Sequence, residues 1–216
     1  MKLKIHFVFI LTISFSIFLT VACNNKEQKP IATKQEDNSA YIEKIKKHRA
    51  EYDEWMKTSP DSPFNHKTKI EFHPLKYFKI DPDFVFKSKL IPYKNKESLI
   101  IYGTKGEARN SVRYGYLTFK KNGKDYKIDV YYNKSKNGDA YYSIWFTDKT
   151  TGKESYDVGR YLEFEFNPDT NFVYTIDFNL AFNPYCAYSH DYSCAIPSDK
   201  DYLDLAITAG EKKFHE

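Results

Sequence analysis

The sequence predicts a mainly β fold: a strongly curved antiparallel sheet or small β-barrel with one N-terminal amphipathic helix. Three observations lead there. Aromatic residues make up 18% of the chain, with 19 Tyr and 17 Phe against 8 Gly, and such side chains suit the half-buried surface of a pleated sheet. Alternating apolar and polar runs recur through the second half, separated by turn residues. Only one segment carries apolar residues at helical spacing. A length of 216 residues with 41% apolar content supports one β-rich domain, residues 40–216, and is short for two comfortable cores.

The N-terminus reads as an export signal. Lys2 and Lys4 precede an apolar run from Ile5 to Leu19, and small residues lead to Cys23, so residues 1–22 are expected to be a lipoprotein signal peptide. A permanent anchor helix is the competing reading, since the run is marginal in length for a span. Leu19-Thr-Val-Ala-Cys23 resembles the bacterial lipobox, which makes Cys23 the expected lipidation site, carrying acyl chains such as palmitate. Residues 23–39 are polar and read as a disordered tether. The protein is thus expected to be exported and membrane-anchored through its lipid. Asn24, where an inner-membrane retention signal would place Asp, points to the outer membrane.

Loss of Lys2 and Lys4 lowers the formal charge from +4 to near neutrality. Export and weak charge together argue against a nucleic-acid partner, whose affinity needs a concentrated basic patch. With one of 3 cysteines at the lipid site, Cys186 and Cys194 remain as an even pair, and an oxidising compartment favours a disulfide between them. A metal site using His190 and a redox-active thiol are the competing readings, although C-x7-C matches neither zinc spacing nor a CxxC pair. No metal and no cofactor are expected.

Within the domain, Asn38 or Ser39 is placed to cap a helix whose apolar stripe is Ile42, Ile45, Tyr52, Trp55 and Met56, expected to pack on the sheet. Ser59-Pro-Asp-Ser-Pro-Phe64 stops that helix, because two prolines bar its continuation. Phe84, Phe86 and Leu90 alternate with Val85, Lys87 and Lys89, and Ser98 to Tyr102 offers another strand. Tyr114 to Tyr132 contains two alternating runs joined by Asn122-Gly123, the dipeptide of a type I′ hairpin. A two-residue loop pairs Phe119 with Tyr126 and Leu117 with Ile128 on one face, and Lys120 with Asp125 and Thr118 with Lys127 on the other. Tyr141 to Phe146 is a further strand. Tyr161 to Phe166 and Phe172 to Phe182 are expected to form a second hairpin whose even-numbered residues face the core. Leu203, Leu205 and Ile207 alternate with polar or small residues in a last strand.

The parity of the segment after Gly159 places Arg160 in line with Leu162, Phe164 and Phe166, so its guanidinium points inward and needs a partner. Asp148 and Glu154 are the nearest acids. Arg160 then either holds an anionic ligand or closes a buried salt bridge. Asp177, Asn179 and Asn183 share one face and, with Tyr156 and Tyr185, could line a polar pocket for a sugar or other hydroxylated ligand. Capping of turns is their structural alternative. A hydrolase would need Asp177 with Glu154, Glu163 or Glu165 as a second carboxylate. Nucleophile elbows, phosphate loops and dinucleotide fingerprints are absent, which leaves no catalytic motif.

Phe146-Thr-Asp-Lys-Thr-Thr-Gly-Lys-Glu-Ser-Tyr-Asp-Val-Gly-Arg-Tyr161, Asp177-Phe-Asn-Leu-Ala-Phe-Asn-Pro-Tyr-Cys-Ala-Tyr188, Tyr192-Ser-Cys194 and Ala209-Gly-Glu-Lys212 resemble bacterial domain-of-unknown-function family 1684 (DUF1684), in its short lipoprotein form. The resemblance spans roughly Tyr41 to Phe214 and maps the family's motif residues onto Asp148, Gly152, Lys153, Glu154, Tyr156, Gly159, Arg160, Asp177, Asn179, Asn183, Cys186 and Cys194. It implies no activity. The expected role is therefore a cell-envelope lipoprotein that binds a small polar or anionic ligand, or an envelope protein, around Arg160, Asp148, Glu154, Tyr156, Asp177, Asn179 and Asn183. A periplasmic or surface hydrolase and a structural envelope component are the alternatives.

Overall fold

The computed structural model describes residues 32–135 and 137–215. The expected signal segment, Cys23 and the tether as far as Ile31 lie outside the described residues. One α-helix, α1 (Ala32–Thr58), precedes strands β1 (Val85–Lys89), β2 (Ile91–Tyr102), β3 (Ala108–Lys121), β4 (Lys124–Lys134), β5 (Ala140–Asp148), β6 (Arg160–Leu162), β7 (Val173–Asp177) and β8 (Tyr202–Leu203). Strands β2 to β6 follow one another as an antiparallel meander, β8 joins β5 in parallel, and β1 pairs with β7 in a separate two-stranded ribbon. The fold is mainly β, a curled, mixed but largely antiparallel half-barrel with an N-terminal helix.

The hairpin of β3 and β4 has the register that its turn dictates. Phe119 faces Tyr126, Leu117 faces Ile128, Lys120 faces Asp125 and Thr118 faces Lys127. Asn122 at φ 52° and Gly123 at φ 76° supply the two left-handed residues of the turn. Leu117, Phe119, Ile128 and Val130 enter the main core with Ile144, Phe146 and Leu162. At its centre stands Phe178, whose ring meets Phe119 and Phe146 at centroid distances of 5.3 Å each. The opposite face of β4 and β5 buries Tyr131 against Trp145, their rings stacked at 4.4 Å, under Ala195. Both faces of β4 and β5 are thus covered.

Three expectations about the elements are corrected. Helix α1 begins at Ala32, so Asn38 and Ser39 lie inside it and do not cap it, and residues 32–39 are helical where a tether was expected; Lys34, Gln35 and Glu36 are good helix formers. Of its buried residues Ile45 and Met56, the latter packs on Phe64, Leu75, Ala187 and Tyr188, so the C-terminal part of the helix docks on loops where packing on the sheet was expected. The sheet's inner face is already filled by Phe178, Ala181, Leu203, Leu205, Ile207 and Ala209.

The second hairpin does not form. Strand β6 pairs with β5, β7 pairs with β1, and Tyr161 bridges to Phe182 only singly. The long alternation 172–182 breaks after Asp177, whose carboxylate accepts from the Asn179 amide at 3.0 Å and starts a 3₁₀ turn at Phe178–Leu180. That turn inverts the parity, burying Asn179 and exposing Leu180. The terminal segment keeps its alternation, with Leu203, Leu205, Ile207 and Ala209 buried, although only Tyr202–Leu203 is laddered.

Candidate functional site

Arg160 opens β6 opposite Phe146 and is 0% exposed. Its Nη2 donates to Asp148 Oδ2 at 2.6 Å and to the Ile207 carbonyl at 2.8 Å. Its Nη1 donates to the carbonyls of Ala209 and Glu211. In an extended chain every second carbonyl points the same way, which aligns those of 207 and 209, and the turn at Gly210 brings the 211 carbonyl to the same guanidinium. Burial pulls the guanidinium below its ordinary range, and the Asp148 carboxylate opposes that shift. Of the two expected arrangements, this geometry is the buried salt bridge.

The other expected site residues do not gather around Arg160. Glu154 is exposed, and its backbone carbonyl accepts from the Lys213 amide at 3.0 Å. Asp177 accepts from the Tyr41 hydroxyl at 2.8 and 2.9 Å as well as from Asn179. Asn179 holds Asp81 at both ends, taking its amide at 2.8 Å and giving Nδ2 to its carbonyl at 2.8 Å. Asn183 donates Nδ2 to the Lys212 carbonyl at 2.8 Å. These are straps between distant segments, the capping role that Asn and Asp perform. Asp177 and Glu163 do border one cavity, but its volume is about 70 Å³, room for a few waters.

Cys186 and Cys194 are brought together as free thiols, the Cys186 amide donating to Cys194 Sγ at 3.3 Å. Tyr156 closes over them, its hydroxyl 3.4 Å from the Cys186 carbonyl and 3.7 Å from Cys186 Sγ. Hydrogen bonding from the neighbouring Cys194 thiol pulls Cys186 down to about 6. Among the described residues no group of three or more His, Cys, Asp or Glu side chains is arranged to hold a metal.

The cavity with the most chemistry lies elsewhere. It encloses about 550 Å³ between α1, the β5–β6 edge and the loops around Leu180, Tyr185 and Ser193. Tyr52, Tyr142, Trp145, Tyr161, Tyr185 and Tyr192 supply aromatic walls, and Glu211, Glu163, Arg109, Ser143 and Ser193 supply polar atoms. Trp145 and Tyr161 face each other across the β5–β6 ladder. Arg109 is already engaged by Glu107 and the Ser193 carbonyl.

Glu211 is the unusual member. The turn at Gly210 has φ 78° and passes so close to Ala181 that a Cβ would stand 2.5 Å from that carbonyl, a place only glycine fits. Beyond the turn, the Glu211 amide donates to Ala181 O at 2.8 Å. The Glu211 carboxyl is 1% exposed. Oε2 accepts from the Asn183 amide at 2.9 Å and from the Tyr188 hydroxyl, while Oε1 meets no donor. Burial raises the acid to about 7, against the downward pull of Tyr188 and Asn183. The Trp145 indole N–H is also buried without an acceptor. Two residues that border this aromatic cavity therefore each hold a buried polar atom without a partner, one an acceptor and one a donor.

Sequence reasoning missed Glu211, Trp145, Tyr161 and Arg109. For Glu211 a signal existed: the buried odd positions 203, 205, 207 and 209 extend by parity to 211. Trp145 carried one too, since Ile144 and Phe146 occupy one face of β5 and leave it on the other.

The sequence profile of the family described as "Protein of unknown function (DUF1684)" matches residues 70–212. The chain is similar to an uncharacterized protein from gene locus rrnAC0354 of Haloarcula marismortui, solved by solution NMR: 30% identity, TM-score 0.58, covering 84% of this chain and 98% of that one. No curated protein matches.

Proposed function

Because the chain belongs to DUF1684, a family of proteins of unknown function, we propose a role from the site itself: a cell-envelope lipoprotein whose aromatic cavity binds a small polar ligand. One observation carries this reading. Glu211 and Trp145 border a cavity of about 550 Å³, within the 300–1,000 Å³ range of small-molecule sites, and Glu211 Oε1 and the Trp145 N–H lie just beneath its surface, buried and without a partner. Each such atom costs about 1–3 kcal/mol while unanswered. A ligand that answers both recovers that free energy on binding.

The N-terminal run and Cys23 support a lipid anchor that holds the domain at a membrane surface, and the cavity is its working part. Intact-mass measurement on membrane-extracted protein should find diacylglyceryl and acyl groups on Cys23; an unmodified Cys23 removes the anchor from the proposal. Ligand capture is tested by an NMR fragment screen reading the indole N–H signals. Leu180 lines the cavity and is 37% exposed, so Leu180→Trp should block the site without disturbing the core. Fragments that bind wild type and variant alike would refute the assignment.

A hydrolytic reading has one observation in its favour. A buried Glu raised to about 7 is poised for general acid catalysis near neutrality, and Glu163 borders the same cavity. Turnover of ester, glycoside or phosphoester substrates, lost in Glu211→Gln, would establish it. A purely structural envelope role gives no reason for two unanswered polar atoms just beneath a cavity surface.

A further inference from the structure

We infer, resting on that reading of the cavity, that its ligand is an uncharged polyhydroxylated ring, a pyranose-type carbohydrate. The argument proceeds by matching charge and hydrogen-bonding needs. Two buried polar atoms just beneath the wall have opposite requirements: the Trp145 N–H needs an acceptor, and Glu211 Oε1 exchanges a proton-mediated bond in either direction. A hydroxyl group serves both, since it donates once and accepts twice. An ammonium would answer Glu211 and leave the indole N–H facing a positive charge. A carboxylate or phosphate would answer the indole but bring its negative charge toward Glu163, which borders the same cavity.

The lining contains no lysine. Its one arginine, Arg109, is paired through Nη2 with Glu107 and the Ser193 carbonyl. Arg160, the cation that a bound anion would need, is fully buried in its own salt bridge. The lining sets two acids, Glu163 and Glu211, against Arg109 and His48, and Arg109 already faces Glu107, a balance that favours an uncharged ligand over an anion.

The walls complete the match. A pyranose has apolar C–H faces and polar edges, and aromatic rings stack on the former while leaving the latter free to hydrogen-bond. Tyr185 and Tyr192 meet edge to face at 5.1 Å, and Trp145 and Tyr161 lie at 6.1 Å. These pairs form two aromatic surfaces on one cavity. The proton of Glu211, held near neutrality, lets Oε1 act as donor or acceptor toward a hydroxyl as pH varies.

The test uses the purified full chain and four probes: glucose, N-acetylglucosamine, tyramine as an aromatic ammonium, and benzoate as an aromatic anion. Saturation-transfer NMR and tryptophan fluorescence report binding. The expected result is transfer to the C–H protons of a sugar, with no response to tyramine or benzoate. Trp145→Phe keeps an aromatic wall and deletes the N–H, and should weaken sugar binding about tenfold, the worth of one hydrogen bond near 1.4 kcal/mol. Leu180→Trp should abolish it.

Should tyramine or benzoate bind while both sugars fail, the carbohydrate assignment falls and the cavity remains a ligand site. Sugar binding that survives Leu180→Trp places the sugar elsewhere and overturns the assignment. Failure of all four probes against wild type overturns it as well, and a fragment hit blocked by Leu180→Trp would then separate the two readings. If Trp145→Phe fails to fold, Tyr185→Ala on the half-buried wall substitutes for it, with the same expected loss of sugar binding.

Discussion

Glu211→Gln tests the interior electrostatics directly. The carboxyl is 1% exposed, and burial raises it from the ordinary 4.5 to about 7. Between those pH values the folded protein holds a proton that the unfolded chain has released. The folded state therefore binds more protons in that window, and stability falls as pH rises through it. At about 1.4 kcal/mol per pH unit the loss reaches about 3 kcal/mol above pH 7. Glutamine never ionises, and its side-chain oxygen still accepts from the Asn183 amide and the Tyr188 hydroxyl. Urea titrations of both proteins from pH 4.5 to 8 should thus coincide near pH 4.5 and diverge until the variant is more stable by about 3 kcal/mol. For a domain of this size that corresponds to a melting temperature higher by about 6–12 °C. Asp53, which raises the acid, and Arg160, which lowers it, are unchanged in the variant, so they do not blur the comparison. Stability curves that stay parallel across the range would refute the buried, proton-holding Glu211.

Arg160→Met should cost about 3–5 kcal/mol, since it strands Asp148 as an unpaired buried charge; a loss below about 1 kcal/mol in chemical denaturation would contradict the burial of this pair. For Cys186 and Cys194 we expect that oxidised glutathione closes the pair, lowering the intact mass by two hydrogens and raising stability by about 2–3 kcal/mol through the short loop. Mixed disulfides with glutathione that never resolve would show that the two sulfurs cannot reach bonding geometry.

What the sequence revealed follows the range of the forces involved. The β3–β4 register was legible because Asn122-Gly123 determines it within two residues. The inward course of Arg160 was legible because parity over three residues is local, and the burial of 203–209 was legible for the same reason. The second hairpin was not. A side chain two residues away, Asp177 on the Asn179 amide, outweighed a run of alternation, and β7 found its partner in β1, far earlier in the chain. The choice between ligand and salt bridge at Arg160 also lay beyond reach, because its acceptors at 207, 209 and 211 are backbone carbonyls that carry no residue-type signature. The docking of the Met56 end of α1 on loops depended on which segments fill the inner face of the sheet.

The same backbone joins the strongest sequence signal to the candidate site. Glu211 gives its carbonyl to Arg160 at 3.2 Å and lines the cavity. The tail 207–211 is thus gripped at three carbonyls by a guanidinium that Asp148 orients, and Gly210 bends it so that the next residue, Glu211, borders the cavity. Arg160 touches no ligand under this arrangement, yet the position of Glu211 depends on it. The motif around Gly159-Arg160 and the motif Ala209-Gly-Glu-Lys212, distant in sequence, are two halves of one device that places an acid beside aromatic rings.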